Sequence, residues 1–450
     1  MSAINFSVSS NNKKKRSGIT LWKNFQLGLL HVAIAITSVA INGVLNRIMI
    51  NDLGILSTIV AILVVLPYLL SPTQVWIGQY SDTHPIFGYR RSPYIVLGMI
   101  FCFVGMVLTP NAALLLASNF WMGIAVGLVA FGLWGMGFNL AVVSYLSLAS
   151  DLSEEDNRSQ TIAMMWFMMI VSIIVSAILI GRALEPYSEA QLFRVFYMVA
   201  IVGMGMVVVG IVGLEKRYDN RETQSRHSQA TAVKAVLDNP QARIFFIYLI
   251  MMLVAILGQD ILLEPYGAFT FEMSVQETTQ LTALWGSATL VALVIYGFVL
   301  NRFMSKRTGA LLGAIIATVG LIFIGMSGLT VDENLFNIGI AVLGFGTGIA
   351  TSTNLGLMLD MTTAEQVGLF IGAWGVADAL ARGLGMLLSG IVRDVITFAF
   401  GNPTLGYVSV FFIQAVFLVA SLSLLFKIDV SQFQEKQPTL TELAALNADV

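Results

Sequence analysis

Long apolar runs separated by short polar stretches make up most of the chain, and the runs do not alternate as strand patterns do. A helix needs roughly 20 apolar residues to cross a bilayer. Counting runs against that length predicts about twelve spans. Six lie at 26–50, 55–80, 93–115, 119–149, 160–182 and 194–214. Six more lie at 243–264, 280–301, 308–328, 335–359, 367–393 and 405–426. The widest polar stretch, Glu215 to Arg243, divides the two groups. The pattern predicts an all-α membrane protein with a tail over 1–24, a six-helix bundle over 25–214, a linker over 215–242, a second six-helix bundle over 243–426 and a tail over 427–450.

Composition agrees with this reading. Of the 450 residues only 11% are charged and 57% are hydrophobic, against roughly 25% charged in a soluble domain. Only lipid can solvate such a surface. The formal charge of −2 gives no reason to expect nucleic acid, and the single cysteine, Cys102, excludes an intrachain disulfide and reads as a small buried hydrophobe. No phosphate-binding glycine loop, dinucleotide turn, HExxH or CxxC is present, so the expectation is a protein that is not an enzyme.

Basic residues set the expected orientation. Lys13 to Arg16 precede the first run, which is long enough to span and lacks a small-residue cleavage site. Arg90, Arg91, Arg158, Arg302, Lys306 and Arg307, with Lys216, Arg217, Arg221, Arg226, Lys234 and Arg243 of the linker, fall on the same side, whereas Arg47, Arg182, Arg194 and Arg393 fall on the other. The asymmetry places both termini and the linker in the cytoplasm.

The halves read as copies. Gly135 and Gly137 are followed by Asp151 as Gly344 and Gly346 are followed by Asp360, and Gly78 and Asp82 correspond to Gly297 and Asn301. Parallel six-helix repeats are the arrangement of major facilitator transporters, with a ligand site between them near the midplane. Gly78, Asp82, Gly88, Arg90 and Arg91 resemble the facilitator loop motif, stretched around Thr83 to Phe87 and lacking the arginine after the aspartate. Glycines there permit close helix approach, and the arginines are expected to meet carboxylates or carbonyls and to clasp a gate.

Candidate chemistry lies where polar groups enter the apolar runs. Asp260 and Glu264 are four residues apart, so on an α-helix they share one face. A charge at membrane depth costs at least about 2.5 kcal/mol, so each needs a cavity, a partner or a ligand. Pro265 is expected to end the helix and Tyr266-Gly267 to turn. For Glu264 a bland alternative is a place in interfacial water. Asp378 and Arg382, also four apart, read as a structural ion pair or a coupling pair. Arg47 is expected either to snorkel or to meet Glu264 across the cavity, because the first and seventh helices are equivalent in the repeat.

More specific matches follow. Gln259 to Gly267 with Phe271 to Ser274 and Glu277 to Thr279, together with His31 to Ala33, Leu45 to Met49 and Gly88 to Ile95, resemble the PucC/LhaA family of facilitator-type proteins over about Phe25 to Phe426. The resemblance implies the major facilitator fold and a membrane carrier or assembly factor that binds chlorophyll or bacteriochlorophyll and delivers it to light-harvesting apoproteins. It implies a location in the inner or thylakoid membrane, with antenna or photosystem apoproteins and pigment-synthesis enzymes as partners. For a chlorin, His31, Asn42, Arg47, Asn139, Gln259, Asp260 and Glu264 are the candidate contacts, with no dedicated metal site and with His31 or Glu264 as axial ligand to the pigment magnesium. Two other readings stay open: a proton-coupled transporter of a small amphipathic solute using Asp260 or Glu264, and a non-transporting scaffold for antenna assembly.

Overall fold

The computed structural model describes residues 21–153, 158–217, 239–362 and 367–429. Most of both tails and of the linker, with Lys13 to Arg16, Arg221, Arg226 and Lys234, fall outside the described residues, as do the side chains of Asp82 and Arg158. Among the described residues helical segments fill the places of the predicted runs; eleven are long and apolar enough to cross a membrane, and the run at 55–80 is broken into three shorter pieces. The first half comprises α1 (Leu21–Asp52), α2 in three pieces (Ser57–Val64, Leu66–Leu69, Thr73–Thr83), α3 (Ser92–Ser118), α4 (Phe120–Leu152), α5 (Arg158–Ala183) and α6 (Glu189–Ile211). The second comprises α7 (Pro240–Ile261) with a short sequel (Leu263–Phe271), α8 (Val275–Phe298), α9 (Lys306–Thr330), α10 (Glu333–Asp360), α11 (Val367–Phe400) and α12 (Pro403–Leu425). Leu21 and Leu425 therefore lie at one end of the bundle, called here the tail end; Asp52, Ser57 and Phe400 lie at the far end.

The repeat is visible in packing. In α3, Gly98 lies so close to α4 that an added Cβ would come 2.6 Å from the Ala141 nitrogen and 2.9 Å from the Gly137 oxygen. In α9, Gly313 faces the Ala350 nitrogen at 2.6 Å and the Gly346 oxygen at 3.0 Å in the same way. One helical repeat further on, Gly105 meets Trp134 and Ala130 as Gly320 meets Leu343 and Gly339. Each half thus contains a helix pair in backbone contact, which only residues without a Cβ permit.

Three spans depart from regular α geometry. α1 widens into π-helix over Val39–Leu45 and Ile48–Asp52. α2 is interrupted beside Pro67 and Pro72, where proline removes a backbone donor. α7 tightens into a 3-10 turn over Gly258–Ile261 before its sequel begins. Here the structure corrects the expectation for Pro265: it sits in the first turn of a new helix that carries Tyr266 and Gly267 and ends at Phe271, with Glu272 as its C-cap. A proline is tolerated at that place because its missing N–H is unsatisfied in any first turn.

Candidate functional site

The seam between the halves is where the polar residues converge, with α1 against α7 and α8, α5 against α8, and α2 against α11. One contact lies beside Pro265. Lacking an N–H, the proline cannot bond the carbonyl of Ile261 four residues back, and that carbonyl accepts the side-chain amide of Asn46 at 2.8 Å from the other half.

Asp260 and Glu264 do not share a face. The 3-10 turn between them changes the angular step, so each looks toward a different neighbour. Asp260 accepts from Arg382 Nη1 at 3.2 Å and from the neighbouring Gln259 amide at 2.6 Å. Arg382 also donates through Nε to Asp378 at 3.0 Å. One guanidinium thus bridges two carboxylates on α7 and α11, and all three side chains are half-buried. Tyr68 of α2 lies within electrostatic reach of all three, and Gly383 brings α11 against it, an added Cβ standing 3.7 Å from the Tyr68 Cβ. The cluster therefore spans the seam.

Glu264 turns the other way, toward α8 and α1. Its Oε1 accepts from the Thr282 hydroxyl at 2.5 Å and lies 3.8 Å from where a Cβ would stand on Gly43. Only 4% of the residue is exposed, so the reading in which it sits in interfacial water is overturned. The expected Arg47–Glu264 pair is also absent among the described residues. Arg47 instead donates to Asp52 on its own helix and to the Met273 carbonyl at 3.3 Å. The cause is local: in π-helix residues five apart stack on one another, and Arg47 and Asp52 are five apart.

The other candidates are dispersed. His31 lies about 18 Å from Gly43 along α1 at a rise of roughly 1.5 Å per residue, so it does not join the α7 cluster. It is 7% exposed, its ring centroid is 5.3 Å from Tyr145 and 5.5 Å from Trp166, and its Nδ1 has no hydrogen-bond partner among the described residues. Asn139 donates to the carbonyls of Pro67 and Gly135, both at 2.8 Å, and accepts from Gln74, so its amide braces the break in α2. Asn42 keeps a buried Oδ1 without a partner among the described residues.

At the tail end Gly88 adopts φ +80°, a left-handed turn suited to glycine. Arg91 reaches Asp151 at 3.2 Å and the Ser81 hydroxyl at 2.7 Å. Glu215 accepts from the backbone N–H groups of Arg90, Arg91 and Ser92 at 2.8, 3.0 and 2.7 Å, capping α3. Lys306 pairs with Asp360 at 2.5 Å in the second half.

Sequence reasoning missed a three-bond contact across the seam. Asp394 of α11 accepts from the backbone N–H groups of Ser57 and Thr58 at 3.2 and 2.7 Å and from the Thr58 hydroxyl at 2.7 Å. Those N–H groups belong to the first turn of α2, whose own Leu56 offers no capping side chain. A carboxylate from one half thus caps a helix of the other. The available signal was an acidic residue beside Arg393 in the last turns of an apolar helix.

Comparison with known proteins now bears on this geometry. The family described as PUCC protein matches residues 44–433, nearly the whole of the two bundles. The chain belongs to that family. Among PUCC relatives, protein PucC of Cereibacter sphaeroides is 30% identical over 422 residues, covering 90% of this chain and 91% of that protein. A Rhodobacter capsulatus protein named bacteriochlorophyll synthase 44.5 kDa chain is 28% identical, covering 88% of this chain and 93% of that one. A bacterial homologue of the human lysosomal transporter Spinster, solved inward-facing and unoccupied, matches with a TM-score of 0.70 at 14% identity, covering 94% of this chain and 100% of that one. This PUCC member has the major facilitator fold.

Proposed function

We propose that this PUCC-family protein is a membrane carrier or assembly factor that binds a chlorophyll-type pigment and delivers it to light-harvesting apoproteins. Family membership, and a relative whose name contains bacteriochlorophyll, support the pigment class. The observation on this chain that carries the reading is His31. A chlorin presents a flat apolar ring and a magnesium that takes one axial ligand, and neutral imidazole is such a ligand. His31 offers a buried Nδ1 with no partner among the described residues, flanked by two aromatic rings. The basic side chains of the tail end fit a cytoplasmic placement of that end, and delivery rather than catalysis is the role we assign.

Purified protein reconstituted with chlorophyll or bacteriochlorophyll tests this. We expect saturable binding with a shifted pigment absorbance, loss of the shift in His31→Gly, and its recovery when free imidazole is added. Absence of saturable binding by the wild-type protein overturns the reading.

A further inference from the structure

We infer that Glu264 is a proton-binding site, holding its proton as a neutral carboxylic acid while α1 and α7 are closed against one another. The inference is independent of which solute or pigment the protein handles. Glu264 is 4% exposed and its Oε2 has no hydrogen-bond partner among the described residues. Its carboxylate is met among the described residues by the Thr282 hydroxyl, donating to Oε1 at 2.5 Å, and by its own backbone N–H, too little to replace water around an anion. An ionised carboxylate taken out of water without a cation is strongly unfavourable, and neutralisation is the usual outcome.

The surrounding charges make matters worse for an anion. From α1, Glu264 is faced by Gly43, and the nearby Arg47 is committed to Asp52 and Met273. From its own span, Asp260 exerts a repulsive field on it. From α8 it meets Thr282. The Arg382 guanidinium of α11 is shared between Asp260 and Asp378, a group with one positive and two negative members. From α12, Tyr407 and Phe411 pack on Tyr266. None of these contacts supplies a positive charge to Glu264.

The chemistry is a simple exchange: the carboxylate takes one proton from water to give the acid, and no further reactant is involved. Gly43 belongs to the first half, so water reaches Glu264 on that side only when α1 moves away from α7. Proton release is thereby tied to parting of the seam.

Infrared difference spectroscopy on the full chain in lipid nanodiscs, titrated from acid to alkaline, tests this. We expect a carbonyl stretch of a protonated carboxylic acid at neutral pH that shifts down in heavy water. It should be lost in Glu264→Gln, retained in Asp260→Asn and Asp378→Asn, and moved in frequency in Thr282→Val, which keeps Glu264 but removes its hydroxyl donor. A wild-type spectrum lacking the band at neutral pH overturns the inference. So does a band that Glu264→Gln leaves in place, and so does one that Thr282→Val leaves unmoved.

Discussion

Inside each half one helix pair touches through a run of glycines; between the halves a set of hydrogen bonds joins the helices, with Gly390 of α11 also making a close glycine approach to Ser57 of α2. α3 meets α4, and α9 meets α10, at distances no Cβ could enter. α2 meets α11, and α1 meets α7, through the carboxylate of Asp394, the amide of Asn46 and the guanidinium of Arg47. Backbone contact has one good geometry and fails outside it. Polar bonds can be exchanged for water one at a time. From this difference we expect the halves to behave as rigid bodies and the seam to be the part that changes.

The most severe way to break this comparison is inside a half. Gly346→Leu would place a Cβ 2.3 Å from the Ala317 nitrogen. Overpacking costs about 1–3 kcal/mol even where side chains can yield, and here the obstacle is backbone. We expect loss of monodisperse protein on size-exclusion chromatography in detergent. Recovery at wild-type yield and melting temperature would refute rigid halves.

The seam should respond differently. Asp394→Ala removes its three bonds to α2 and its pairing with Arg393 without a clash, and a hydrogen bond to a charged group contributes about 1.5–3 kcal/mol. We expect a folded protein in which the amides of Ser57–Val64 exchange with deuterium at least tenfold faster, read by mass spectrometry, while those of α3 and α4 are unchanged. Equal acceleration in both regions would erase the distinction.

A smaller effect separates the members of the charge cluster. Arg382→Gln leaves two carboxylates without a cation, whereas Asp378→Asn leaves a one-to-one pair with Asp260. Arg382→Gln should therefore lower the melting temperature by several degrees more, each group being half-buried and only partly screened. Identical melting temperatures would mean the cluster contributes no net electrostatic energy. Smallest of all is Lys306→Met at the tail end. Its partner Asp360 is exposed, and such pairs are worth about 0–1 kcal/mol, so thermal melting should barely move.

The spans and the repeat were legible because each rests on local composition: apolar runs give helices, and the ordered glycines at Gly137 and Gly346 mark equivalent helix contacts. The Asp378–Arg382 pair was legible for the same reason, since α geometry places residues four apart together. Where α geometry fails, so did the reading. Asp260 and Glu264 were expected on one face because the 3-10 turn between them leaves no signature in composition, and Arg47 was matched with Glu264 because the π-helix that brings Asp52 beneath it was not foreseen. Asp394 was out of reach altogether. Its partners Ser57 and Thr58 are 337 and 336 residues away, and no spacing rule links positions that meet only after both bundles have formed.

Pro265 carries a last consequence. An ordinary residue there would supply the N–H with which α7 and its sequel could run on as one helix, and that N–H would compete with the Asn46 amide for the Ile261 carbonyl. Improving the local regularity of one segment would thus weaken its grip on a distant one. In Pro265→Ala we expect the helix to gain order and the seam to lose a fastening, so that a change normally counted as repair would loosen the machine.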